Sequence, residues 1–140
     1  MTVPAERLGK IAPEQYTEAQ KQVAAAIAAG PRGEVRGPFG VLMRSPPLAN
    51  AIQQVGEYLR YRCPLDRRLA EMATLIAARH WTQQYEWNAH YPHAMTAGLK
   101  PAVADAIAEG RRPTGMAGDE EIVYDLLTEG LQNKCVCDAT

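Results

Sequence analysis

Between Asp66 and Ala77 the chain places Leu69, Met72, Ala73, Ile76 and Ala77 at steps of three and four. That spacing lines one face of an α-helix and no face of a strand. Elsewhere the same preference holds: alanine, leucine, glutamate, arginine and glutamine carry the long segments, and alternating runs of β-branched residues are almost absent. The sequence therefore predicts an all-α fold. Its 140 residues suit one domain, 1–140, large enough to bury a core.

Punctuation divides the rest. Pro13 can open a first helix reaching Ala29, stopped at Gly30-Pro31. The stretch GPRGEVRGPFGVLMRSPP, residues 30–47, holds four glycines and four prolines and reads as a loop around a short apolar turn at Phe39 to Met43. Ser45 is a candidate cap for a helix starting at Pro46-Pro47, with Leu48, Ile52, Val55 and Leu59 on its inward face and Pro64 as its limit. Asp66 caps the next helix. Thr82 is placed as cap of a helix from Gln83 toward Ala97, kinked at Pro92 and closed by Gly98. A short helix follows between Pro101 and Gly110. The last has Asp119 near its cap and Val123, Leu126, Leu127 and Leu131 inward.

Charge and cysteine usage exclude several classes of function. Fifteen Lys+Arg against sixteen Asp+Glu leave no electrostatic footprint for nucleic acid or an anionic membrane. No stretch approaches the roughly 20 apolar residues of a membrane span, and the N-terminus lacks a signal-peptide run. Cys63, Cys135 and Cys137 are an odd set without zinc-like pairing, expected as free thiols in a reducing, cytoplasmic setting. A small-molecule substrate is the partner this leaves, with neither nucleic acid nor membrane.

The chemistry-bearing stretch is QQYEWNAHYPHA, residues 83–94. Glu86 and His90 stand four apart, so on a helix the carboxylate can orient the imidazole as an acid/base unit. Spacing alone leaves this open against an ordinary surface or core pair. Adding His93 gives a carboxylate and two imidazoles, a metal-like set interrupted by Pro92; the expectation is no metal. His80 falls on the stripe of Met72 and Ile76 and is expected to be structural. Trp81, Tyr85, Trp87 and Tyr91 are expected to pack between helices or subunits, with Tyr85 also available as a pocket wall. An anionic substrate would need a cation, and Arg44, Arg62 and Arg79 are nearest.

The run from Gly37 to Pro113, and above all EMATLIAARHWTQQYEWNAHYPHA from Glu71, resembles the carboxymuconolactone decarboxylase superfamily, which includes the AhpD-type alkylhydroperoxidases. The resemblance implies an AhpD-like helical bundle. It matches Glu71 and His90 to the glutamate and histidine of the peroxidase members, whose two cysteine positions fall on Gln83 and Glu86. Neither residue supplies the thiolate that peroxide chemistry requires. The decarboxylase members share a Glu-x-x-x-His pair, here Glu86 and His90. That match implies cofactor-free acid/base chemistry on a small anionic lactone or carboxylic acid, with His90 as proton donor, Glu86 as its orienter and Glu71 as a second relay. Gln83, Tyr85, Arg79 and Arg44 are the substrate-binding candidates. The chain stops where family members continue with further helices, so homo-oligomerisation is expected to complete the bundle. The alternatives are an AhpD-like peroxidase and a non-catalytic helical oligomerisation module.

Overall fold

The computed structural model describes residues 8–140, and among these every regular element is a helix. After a 3-10 turn at Pro13–Gln15 come α1 (Glu18–Ala29), α2 (Phe39–Leu42), α3 (Pro46–Tyr61), α4 (Arg67–His80), α5 (Gln84–Thr96), α6 (Pro101–Glu109) and α7 (Gly118–Asn133). They form two compact units, one ending at Cys63 and one beginning at Pro64.

In the first unit the start of α1 lies later than Pro13 predicts. Pro13 opens only the 3-10 turn. Thr17 and Gln20 form a capping box, Thr17 N–H donating to Gln20 Oε1 at 2.9 Å and Gln20 N–H to Thr17 Oγ1 at 3.3 Å. Two otherwise orphaned donors are thereby satisfied, which fixes the helix start there. The buried Gln20 amide also donates to Met43 O at 2.8 Å, joining α1 to the end of the α2 turn. Val23, Ile27, Phe39, Met43 and Ala49 make the small core.

The face of α3 is a correction. Leu48, Ile52, Val55 and Leu59 are not inward; they are 40 to 60% exposed, and Ala49 and Gln53 are the residues α3 buries. Small Ala49 lets α3 approach the Phe39 and Met43 side chains closely, so packing rather than hydrophobicity chooses the face. Ser45 occupies the N-cap position without a side-chain cap bond, and α3 stops at Tyr61, short of Pro64.

In the second unit α4 is central, packing on α5, α6 and α7. Asp66 caps it as expected, accepting from Arg68 N–H at 2.9 Å. Leu69, Met72 and Ile76 are buried as predicted, and Leu75 joins them because α4 has neighbours on more than one side. Met72, Leu75, Ile76, Ala94, Leu99, Val103, Ala104 and Ile107 form the core, each large side chain contributing about 1.5–3 kcal/mol of burial. Gly110 closes α6 in the left-handed conformation (φ 75°) that glycine tolerates.

Several boundary expectations are revised. Thr82 does not cap α5: it sits at φ 54° in the turn, and Gln83 takes the N-cap place without a side-chain bond. α5 continues through Pro92 to Thr96. His80 is exposed, its ring edge-on to the exposed Trp81 at 5.0 Å, because α4 has passed the core by its last turn. On α7 the inward side chains are Tyr124, Leu127 and Leu131, whereas Leu126 faces out. The cap of α7 is Ala117, whose N–H donates to Glu120 Oε2 at 2.7 Å; Asp119 and Glu120 instead receive Arg68 of α4, Asp119 at 2.6 Å. No described helix is long and apolar enough to cross a membrane.

Candidate functional site

α4 and α5 pack side by side, bringing Glu71 from the second turn of one to His90 from the middle of the other. Glu71 is only 2% exposed, and a carboxylate that deep requires partners. It has two. Arg67, one turn earlier on α4, places Nη2 2.6 Å from Oε1, and His90 Nδ1 lies 2.6 Å from Oε2. On the other side of the imidazole, Nε2 stands 3.6 Å from Glu86 Oε2, an ion-pair distance rather than a hydrogen bond. His90 is half-buried between one sunken carboxylate and one that reaches solvent.

The electrostatics follow from this geometry. Burial pushes the Glu71 carboxyl up, but the hydrogen bond from His90 and the charges of His90, Arg67 and His93 outweigh it, leaving the group below the ordinary carboxylate value. An ionised carboxylate only accepts, so Nδ1 carries the proton and Nε2 is the nitrogen turned outward. Arg67 is the member that sequence inspection missed, although its i,i+4 offset from Glu71 was visible.

The remaining candidates are dispersed. Exposed His93 has its ring centroid 6.2 Å from that of His90, and among the described residues no group of three His, Cys, Asp or Glu is arranged to hold a metal. Tyr85 is exposed. Gln83 and Arg79 line one cavity of about 270 Å³ with Trp87, and Arg79 also lines another of about 260 Å³ between α4, α6 and α7. Arg44 belongs to the first unit, where it donates to Gly9 O at 2.5 Å beside a cavity of about 390 Å³. Arg62 pairs with Glu57 at 3.1 Å. Glu71, Glu86 and His90 line none of these three cavities. All three cysteines are free.

Glu71, His90, Glu86 and Arg67 all fall inside residues 46–122, the segment matched by the carboxymuconolactone decarboxylase family. That is more than half of the chain, and the protein belongs to this family. Neither curated proteins nor solved structures give a significant match.

Proposed function

We propose that the protein acts on a small anionic lactone or related carboxylic acid by cofactor-free acid/base chemistry centred on His90. The observation that carries this is the buried, ionised Glu71 hydrogen-bonded to Nδ1, which fixes the ring and leaves Nε2 outward as the nitrogen that can take up a proton and hand it on. In a decarboxylation the bond between the carboxylate carbon and the ring breaks, CO2 leaves, and the electron pair flows into a conjugated carbonyl as an enolate. The imidazolium Nε2–H then returns a proton to carbon. Glu71 is the orienting group and Glu86, at the solvent edge, the relay that reprotonates Nε2. This exchanges the roles expected from the resemblance, which made Glu86 the orienter and Glu71 the relay.

The test is a panel of small lactone acids, followed by CO2 release and by deuterium uptake from solvent, run beside an organic hydroperoxide with a thiol reductant. A Cys63→Ser/Cys135→Ser/Cys137→Ser variant should keep its fold and lactone-acid turnover, because Gln83 and Glu86 occupy the thiol positions. Hydroperoxide turnover lost in that variant would instead establish the peroxidase alternative. Free cysteines accord with a reducing, cytoplasmic location.

We further propose that the exposed face of α3 packs on a second copy of the chain. Leu48, Ile52, Val55 and Leu59 follow each other at steps of four, three and four, the seam spacing of paired helices. Ala51 and Gly56 beside them bring no charge to repel an identical partner. Light scattering at micromolar concentration should give a multiple of 15.3 kDa, and Ile52→Glu/Val55→Glu should return it to 15.3 kDa. A wild-type monomer would refute the interface and leave no basis for a purely assembly-forming role.

A further inference from the structure

The cavity between α4, α6 and α7 has the features of a binding site for which the acid/base cluster has no use. Arg79 forms one end of it. Its Nε donates to Ala108 O at 2.7 Å, holding the guanidinium against the carbonyl end of α6, where the helix dipole favours a cation. The group lies over Gly110 so closely that a Cβ there would come within 3.1 Å of Nη2. A glycine at that position thus supplies both the left-handed turn and the seat for the arginine. Among the described residues no carboxylate pairs with Arg79, and none hydrogen-bonds to Nη1 or Nη2. The nearby Arg112, over the face of Tyr124 at 5.3 Å, is by contrast already matched by Asp125.

The opposite wall is polar and equally unmatched. Tyr124, Thr128 and Gln132 recur at four-residue steps along α7, so their side chains rise from one face into the cavity. Among the described residues none of the three side chains makes a hydrogen bond. Ile76, Ile107 and Leu131 supply apolar surface between the two ends. A fixed guanidinium facing hydroxyl and amide groups across an aliphatic floor is the donor pattern for a carboxylate with a short apolar body and a distal hydrogen-bonding group.

We infer that this cavity binds a small hydroxy-carboxylate, with Arg79 taking the carboxylate and the Tyr124, Thr128 and Gln132 face taking the distal hydroxyl. The inference does not depend on the reaction proposed for His90, since none of Glu71, Glu86 and His90 lines the cavity.

Calorimetric and amide-NMR titration of the full chain with 4-hydroxybenzoate tests it, using 4-hydroxybenzamide and inorganic phosphate as comparisons. Saturable binding of the benzoate is expected, with shifts centred on the end of α4, Gly110 and α7. The amide should bind at least about tenfold more weakly, and Arg79→Gln should lose a similar factor, as expected for removing one charge-assisted contact. Thr128→Leu fills the cavity without touching the Arg79 to Ala108 bond, so it decides the matter if Arg79→Gln fails to fold; binding should be abolished. His90→Ala should bind as the wild type does. The inference is overturned by absence of saturation into the millimolar range, by equal binding of the amide or of phosphate, by wild-type binding in Thr128→Leu, or by loss of binding in His90→Ala.

Discussion

Replacing His90 with alanine should lower turnover of whichever lactone acid the protein accepts by about a hundredfold or more, since a positioned general acid contributes roughly 10²–10⁴. Glu71→Gln should cost nearly as much: the amide keeps the shape but cannot hold a proton on Nδ1 through charge, and it leaves Arg67 facing a neutral group. Glu86→Gln should cost less than either, because its carboxylate stands 3.6 Å from Nε2 and acts only in proton return. The Glu71→Gln/His90→Ala double variant should be little slower than His90→Ala alone, as groups working as one unit are not additive. Thermal melts of His90→Ala should change far less than the rate. If His90→Ala instead unfolded the protein while its folded fraction kept full activity, the cluster would be structural and the acid/base proposal lost.

How much of this was legible in sequence depended on whether a signal was local. The α4 stripe, the Asp66 cap and the Gly110 stop were readable because each is set within one turn of its own chain. Glu71 and His90 could be singled out, but not which carboxylate holds the imidazole, because helical spacing favours Glu86 and only the packing of α4 on α5 brings Glu71 to Nδ1. The α3 stripe misled for a related reason. Its large side chains gave the stronger pattern, yet Ala49 gave the closer fit to Phe39 and Met43. Thr82 is a good cap by residue type, but the turn places it at positive φ, where it cannot serve. Arg68 and Glu120 are 52 residues apart, and nothing local in either announces the other.

That long-range pair carries the largest expected effect on stability. Glu120 is 2% exposed, and its carboxylate is shared between the Arg68 guanidinium and the Ala117 N–H that begins α7. Arg68→Ala leaves this carboxylate buried with one backbone donor. Breaking a buried pair by removing one partner costs about 3–5 kcal/mol, and the low end applies here because the Arg68 side chain is 20% exposed and partly screened. A melting point roughly 10 °C below wild type is expected by calorimetry or circular dichroism. Asp119→Ala, which removes the exposed arm of the same clamp and the acceptor for the Glu120 N–H, should lower the melting point less than Arg68→Ala does. The decisive comparison is Arg68→Met/Glu120→Leu. Both charges are then gone and the contact between α4 and α7 is apolar, so most of the loss should be recovered, since the penalty comes from an uncompensated charge and not from the absence of an ion pair. Were the double variant less stable than Arg68→Ala, the clamp would owe its effect to hydrogen-bond geometry at the α7 start, and Glu120→Gln, which keeps an acceptor for Ala117 N–H, should then be the mildest change of the set.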